Sequence, residues 1–238
     1  MSEDDASGRN RFGQPVGFSL GAWKPPARPD GTPLAGQYCA LERLSPERHA
    51  ADLHAAYRDA PEGWTYLPVG PFEDVEEYTD YVRTESAKTD PLHYAILDMR
   101  TQKPVGTAAL MRIDPPNGVI EVGYINYSPY LKRTRAGTEA MYLLMRYVFE
   151  GLGYRRYEWK CHSLNAPSRR AAERYGFKYE GIFRQAVVHK GRNRDTAWYS
   201  ILDCEWPVIQ AALETWLAPS NFDAAGVQRQ PLRIRAAD

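Results

Sequence analysis

A glutamate stands in the middle of an apolar run that is typical of a β-strand. Glu121 is flanked by Ile120 and Val122 within residues 119–127. Alternate side chains of a strand point to opposite faces, so Glu121 faces away from these two neighbours. A carboxylate in such a position can accept a proton from an amine. An exposed glutamate, or one paired with an arginine, is the structural alternative.

A basic turn follows the same strand and leads into an amphipathic helix. The strand ends at Tyr127, and the residues that follow include Lys132, Arg133, Thr134, Arg135, Ala136, Gly137 and Thr138. Free backbone N–H groups and the positive end of the helix dipole suit such a turn to a pyrophosphate. The glycine spacing of a P-loop is absent. A solvated basic turn before a core helix explains the same residues.

A second polar segment begins a short helix. Asn165 is a suitable N-cap, Pro167 fits the first turn, and Gly176 is a suitable C-cap. These three residues therefore have a structural explanation. Ser168 has none, which makes it a candidate for chemistry.

Four further side chains are candidate substrate contacts. They are Tyr124 on the strand of Glu121, Trp64 and Tyr66 in a loop, and His162 at the end of a later strand. Packing onto the core is the alternative for the aromatic residues, and a structural role is the alternative for His162. The five histidines share no ligand spacing, so no metal site is expected.

The elements that position these residues alternate along the chain. The predicted order is β-α-α-β-β-β-α-β-α-β-β, an α/β arrangement with a mixed sheet and helices on both faces. One helix has apolar residues Met141, Leu144, Met145 and Val148 at i, i+3, i+4 and i+7, which indicates a core-facing stripe. The predicted strands are 38–44, 93–99, 106–113, 119–127, 156–162, 177–190 and 195–204, and the predicted helices are 46–57, 73–85, 137–150 and 166–175. Ser45 is the predicted N-cap of the first helix, with Pro46 at its first position.

Composition narrows the class of protein. The chain has 30 basic and 30 acidic residues, and this balance argues against nucleic acid or a membrane surface as the main partner. Three widely spaced cysteines are typical of core thiols in a reducing cytoplasm, and we expect no signal peptide or membrane span. Residues 1–36 are predicted to be an irregular arm, 37–218 one domain, and 219–238 a tail.

The element order and the two polar motifs together resemble the GNAT N-acetyltransferases, and within them the Rim-type acetylases of ribosomal-protein N-termini. In that family a turn of the form Gln/Arg-x-x-Gly-x-Gly/Ala holds the pyrophosphate of coenzyme A (CoA). Here it is matched by Lys132 to Gly137, with Arg135 where the inner glycine is expected. Asn165, Ser168, Gly176 and Phe177 match the later motif in order and spacing.

The resemblance implies transfer of an acetyl group from acetyl-CoA to a primary amine, on a peptide or protein N-terminus or on a small molecule. Residues Tyr127, 132–138 and Asn165 would contact CoA, and a cleft would open between the strands ending near Tyr127 and His162. Glu121 would face the acceptor and take its proton. Ser168 would protonate the leaving thiolate, because Ala172 stands where many relatives have a tyrosine acid.

Two other functions remain open at this stage. One is transfer of a succinyl or other acyl group to a small amine or an antibiotic, which would need a cationic partner in the cleft. The other is a catalytically weak CoA-binding regulator. The aromatic side chains of Tyr142, Tyr147 and Phe149 also leave a homodimer open.

Overall fold

The computed structural model describes residues 8–234. Eight strands form one sheet in the order β1-β2-β3-β4-β5-β6-β8-β7, in which β5 and β6 are the parallel pair and the other neighbours are antiparallel. The strands are β1 Leu34–Ala35, β2 Cys39–Arg43, β3 Leu92–Asp98, β4 Lys103–Asp114, β5 Val119–Tyr127, β6 Arg156–His162, β7 Lys178–His189 and β8 Arg192–Leu202. The helices are α1 Pro46–Tyr57, α2 Val75–Ser86, α3 Arg135–Arg146, α4 Ala166–Arg174 and α5 Trp206–Leu217.

Side-chain caps fix where four helices begin. Ser45, Asp74, Thr134 and Asn165 each accept a hydrogen bond from a backbone N–H of the first turn of α1, α2, α3 and α4. A cap of this kind satisfies one of the donors that a helix start leaves free. The caps predicted at Ser45 and Asn165 are confirmed.

The mixed α/β fold predicted from the sequence is confirmed, with two additions. The predicted order lacks α5, although Ile209, Leu213 and Trp216 are buried at i, i+4 and i+7 of that helix. It also lacks β1, which lies inside the segment expected to be an irregular arm and pairs with β2. The parts of that arm and of the C-terminal tail at residues 1–7 and 235–238 lie outside the described residues.

The two faces of the sheet carry separate cores. Tyr94 and Ile96 of β3 pack in the larger cluster with residues of α3 and α5, whereas Ala95 between them packs with α1 and α2. The alternation follows from the two-residue period of a strand. Among the described residues no helix is both long and apolar enough to cross a membrane.

The strands β5 and β6 stay together over only part of their length. Four residue pairs form the parallel ladder, from Val119 with Arg156 to Val122 with Trp159. Beyond that point the strands end at Tyr127 and His162 without pairing. The predicted cleft between them is confirmed.

A buried glutamate attaches α3 to the sheet. The carboxylate of Glu139 accepts hydrogen bonds from the backbone N–H groups of Gln37 (2.8 Å), Tyr38 (2.6 Å) and Cys39 (2.8 Å). A Cβ added at Gly36 would lie 2.5 Å from this carboxylate, so the glycine makes the close approach possible. The start of β2 and the first turn of α3 are therefore held as one unit.

Replacing Glu139 by glutamine should lower the free energy of unfolding by about 3 kcal/mol, because the amide nitrogen cannot accept a hydrogen bond and three N–H groups, that of Cys39 fully buried, lose a charged acceptor. Chemical denaturation monitored by circular dichroism measures this change. Glu77→Gln, at an exposed position of α2, is the control and should change the free energy by less than about 0.5 kcal/mol. Equal stability of the two variants would show that the Glu139 contacts carry no net energy.

Candidate active site

A groove of about 1120 Å³ begins in the cleft between β5 and β6 and passes the first turn of α3. It continues along α4 to a C-terminal segment that contains Phe222 and Val227. The predicted site residues that line it are Tyr66, Tyr127, Lys132, Arg133, Thr134, Arg135, Gly137, Thr138, Asn165 and Ser168. The structure thus brings the two polar motifs, which lie about thirty residues apart in the sequence, to one concave surface.

A β-bulge shapes the strand side of the groove. Tyr124 has a positive φ of 48°, and the register between β4 and β5 shifts between the pairs Ala109–Gly123 and Thr107–Asn126. A bulge bends its strand and interrupts the ladder. The next three residues, Ile125 to Tyr127, line the groove beyond the point where the ladder to β6 ends.

The turn before α3 presents free backbone donors. Arg133 adopts a left-handed conformation (φ 60°) and Thr134 an extended one, directly before the helix. The N–H groups of Arg133, Arg135 and Ala136 make no hydrogen bond to any described residue. Three such donors at the positive end of a helix are the arrangement with which proteins hold phosphates.

The role expected for Gly137 needs correction. Its N–H donates to the Thr134 hydroxyl (3.0 Å), so this amide is already occupied. A Cβ at this position would meet the carbonyl oxygen of Leu131 at 2.6 Å. The glycine is therefore required by the turn itself, and a bulky replacement would test the fold rather than phosphate binding.

The guanidinium of Arg135 has a different position from the one expected. It stacks over the rings of Phe222 (3.4 Å) and Tyr38 (4.5 Å), which links the C-terminal segment to α3. Five basic side chains and one acidic side chain, Glu62, line the groove; the basic ones are Lys132, Arg133, Arg135, Arg170 and Arg174. This excess of positive charge suits a polyanion.

Ser168 lies where the groove meets the cleft. Its Oγ accepts a hydrogen bond from the indole Nε1 of Trp159 (3.0 Å), and its backbone N–H donates to the Asn165 side chain (3.1 Å). With Oγ already accepting, the hydroxyl proton can point into the groove. Ala172, in place of the tyrosine found in many relatives, is fully buried, and the hydroxyl-bearing residues of this segment that line the groove are Ser168 and Tyr175, whose hydroxyl donates to the Gly137 carbonyl oxygen (3.4 Å).

Glu121 belongs to a buried network of charges and does not line the groove. Its carboxylate lies 2.9 Å from Lys160 Nζ and 3.1 Å from Arg112 Nε, and Lys160 also contacts Glu158 at 2.7 Å. Burial raises the pKa of Glu121, whereas the two cations oppose that rise. Glu121 is therefore paired with an arginine, Arg112, which is the structural alternative that the sequence left open.

The remaining predicted contacts separate into two groups. Tyr66 and His162 meet edge to face (5.2 Å) at the mouth of the cleft, and Tyr124 lies on the bulge against His93. Trp64, in contrast, is buried against Tyr57 and Phe72, so it belongs to the core and not to the cleft. Ala136 does not line the groove with its side chain and contributes through its amide.

The tautomer of His162 limits what it can do. Burial, with a smaller effect of the Arg194 charge, lowers the pKa of His162, so the ring is neutral at pH 7. Nδ1 accepts from the Leu164 N–H (3.1 Å), which leaves the ring proton on Nε2. In this form both ring nitrogens are committed, Nδ1 as an acceptor and Nε2 as a donor, and His162 is not a base.

Sequence reasoning missed two contributions to the groove. Trp159, which positions Ser168, lies on β6 and reads as an ordinary core residue. Trp216 comes from α5, to which no element was assigned, and Phe222 comes from the segment after it, which was expected to be a tail. The spacing of apolar residues in α5 could have revealed the helix, but no local signal connects Trp159 with Ser168.

The chain can now be compared with known proteins. The acetyltransferase (GNAT) domain family matches residues 40–178. A GCN5-related N-acetyltransferase of known structure from Brucella melitensis is 50% identical, with a TM-score of 0.88 and coverage of 90% of this chain and 97% of that chain. An uncharacterized N-acetyltransferase, p20, from Bacillus licheniformis is 30% identical over 67% of this chain and 91% of that protein. YdaF of Bacillus subtilis, a putative ribosomal N-acetyltransferase, is 31% identical over 42% of this chain and 55% of that protein.

The chain belongs to the GNAT acetyltransferase family, and it is an acyl-CoA-dependent N-acyltransferase. The resemblance inferred from the two motifs is thereby confirmed. Residues that match the family's CoA motif, among them Lys132, Arg133 and Thr134, line the groove at the first turn of α3. The family and the geometry therefore indicate the same site.

The free amide of Arg135 can be tested separately from its side chain. Proline is tolerated in the first helical turn, and the extended Thr134 before it is compatible with proline. Arg135→Pro removes the N–H and the guanidinium, whereas Arg135→Ala removes the guanidinium alone. Calorimetric titration should show CoA binding roughly tenfold or more weaker in the proline variant than in the alanine variant, as expected for loss of one bond to a charged group. Equal affinities would mean that this amide does not contact the ligand.

Proposed function

We propose that this enzyme transfers an acetyl group from acetyl-CoA to a primary amine. The observation that carries the proposal is the set of three free amides at the start of α3, in the same groove as Ser168 and the bulged strand β5. CoA is a linear molecule with its diphosphate and its thiol at separate points. With the diphosphate at the amides of Arg133, Arg135 and Ala136, the thioester reaches the β5–β6 cleft.

The chemical step is direct attack by the amine. The nitrogen lone pair forms a C–N bond to the thioester carbon, the tetrahedral oxyanion collapses, and the C–S bond breaks to release the CoA thiolate. The backbone N–H groups of the segment Ile125 to Tyr127 are the proposed donors to the oxyanion, since they lie where the ladder to β6 has ended. The amine loses one proton and the thiolate gains one.

Ser168 is the proposed donor of the thiolate proton. The indole N–H of Trp159 bonds to its oxygen and stabilises negative charge there, which makes the hydroxyl a better acid. Asn165 holds the same residue through its backbone N–H. This arrangement replaces the tyrosine that Ala172 cannot supply.

Glu121 is the proposed acceptor of the amine proton. It is on the face of β5 opposite to Ile120 and Val122, and burial raises its pKa above the ordinary value of a glutamate. A higher pKa makes the carboxylate a stronger base. Lys160 and Arg112 hold it in place and oppose the rise in its pKa.

We propose that the acceptor is the N-terminal amine of a peptide or protein, or the amine of a small molecule. These are the acceptor types that the resemblance implies. A succinyl or other acyl donor is the second candidate, and the unpaired cation described below is the feature that favours it. Because Cys39, Cys161 and Cys204 are all free thiols, we place the enzyme in a reducing cytoplasm.

Thioester consumption measured with acetyl-CoA against a panel of peptides and small amines tests the proposal. Ser168→Ala should lower kcat by roughly two to four powers of ten, the usual range for a positioned acid, while the CoA dissociation constant barely changes. Ser163→Ala, outside the groove, is the matched control and should behave as the wild type. Full activity of the Ser168 variant would remove the serine from the mechanism, and inactivity of the wild type on every amine would refute acetyl transfer.

We also propose that two copies of the chain pair through β7. This 12-residue edge strand is exposed along most of its length and carries the exposed apolar side chains Tyr179, Ile182, Phe183, Val187 and Val188. An unpaired edge of this kind is a template for another strand. Charges of both signs on it, Lys178, Glu180 and Arg184, and the zero net charge of the chain favour a second copy in antiparallel pairing.

Analytical ultracentrifugation should find a dimer for the wild type. Phe183→Lys and Val188→Lys together should give a monomer, because two charges would be buried at the edge. Lys substitution of Val75, an exposed apolar residue of α2, is the control and should leave the dimer intact. A wild-type monomer at all concentrations would contradict the proposed pairing.

A further inference from the structure

Arg194 is a half-buried cation with no partner in the described chain. Within residues 8–234, its guanidinium donates no hydrogen bond, and no carboxylate lies within 4.0 Å of it. Its Nε is shielded from solvent. The neighbouring Asp195 accepts instead from Gln185 N (2.7 Å) and Asn193 Nδ2 (3.0 Å). Burying an unpaired charge is costly, so a side chain with five donors in this state points to a ligand.

The other cations on the same face are paired. Three carboxylates, Glu121, Glu158 and Glu180, are balanced by three cations, Lys160, Arg156 and Arg112. Arg194 is the fourth cation of this group and gives it a surplus of one positive charge. The network therefore cannot neutralise Arg194 without leaving one of its own members unpaired.

Strand register places Arg194 on the acceptor side of the cleft. Arg194, Thr196 and Trp198 alternate along β8 and share one face, and the last two lie opposite His162 and Lys160 of β6. The side chains between them, Ala197 and Tyr199, belong to the core on the other face. Thr196 Oγ1 and Trp198 Nε1 are likewise buried without a partner among residues 8–234, so three donors lie along one face of β8, next to the β6 residues of the charged network.

The tip of the β7–β8 hairpin closes this region. Lys190 Nζ donates to the carbonyl oxygens of Trp64 (2.9 Å) and Gly70 (2.7 Å), and His189 Nε2 lies 3.3 Å from the carbonyl oxygen of Thr65. These contacts fix the beginning of β8 against the loop between α1 and α2. The backbone that carries Arg194, two residues into the strand, is thus anchored close to this contact.

We propose that the acceptor amine carries an anionic group, a carboxylate or a phosphate, and that Arg194 binds it. This inference rests on the proposed acetyl transfer. A guanidinium matches either anion through two parallel N–H bonds, with Thr196 and Trp198 as further donors. The binding fixes one end of the acceptor and directs its amine toward the thioester in the β5–β6 cleft. Polyamines, whose remaining groups are cationic, are excluded by the same charge.

The test compares matched acceptors with acetyl-CoA: amino acids against their carboxamides, and phosphoethanolamine against ethanolamine. The wild type should prefer the anionic member of one pair by at least roughly tenfold in kcat/KM, and the pair that responds identifies carboxylate or phosphate. Arg194→Gln should raise KM for that anionic acceptor by roughly tenfold to a hundredfold and abolish the preference. Arg192→Gln, an exposed arginine on the same strand, is the control and should retain it.

The outcomes separate the two proposals. Acetylation of amines without an anion preference, or a preference that survives Arg194→Gln, overturns the inference and leaves acetyl transfer standing. An Arg194 effect seen only with succinyl-CoA and uncharged amines assigns the anion to the acyl donor and also overturns it. No acetylation of any amine refutes the proposed function itself. Thermal unfolding of Arg194→Gln should show no loss of stability, because the side chain has no protein partner to lose.

Discussion

The early end of the parallel pairing between β5 and β6 is the constraint on which the site depends. Four residue pairs join these strands, and the bulge at Tyr124 then bends β5 away from the ladder. Backbone donors that a continuous sheet would consume are left facing a groove. The position of the strand is fixed by antiparallel pairing with β4 on the other edge.

The position of α3, the helix that follows, is also fixed by specific hydrogen bonds. Glu139 fastens the first turns of α3 to the start of β2 through three charged hydrogen bonds, and Thr134 caps the helix one turn earlier. Rigid attachment matters because an anion-binding turn works only if its amides already point together. Arg135, which departs from the family's glycine, stacks on Phe222 and so joins the C-terminal segment to the same turn. The arginine in place of the family's glycine therefore connects two parts of the structure.

Local signals in the sequence predicted much of this fold, because caps and strand periodicity depend on near neighbours. Ser45 and Asn165 were recognisable as caps, and the order of elements placed the cleft correctly. The partner of Ser168 was not predictable, since Trp159 reaches it only when α4 lies across β6. The pairing of Glu121 was likewise open, because its cations come from β4 and β6, on either side of β5.

The central claim is that the amides before α3 hold the diphosphate of CoA. Two-dimensional ¹H–¹⁵N NMR of the assigned protein, titrated with CoA, tests it most directly, since amide shifts respond to a new hydrogen bond at each residue. We expect the largest changes at Arg133, Arg135 and Ala136, with a smaller change at Gly137, whose amide already bonds to Thr134. Saturable CoA binding that leaves those three signals unmoved would contradict the account.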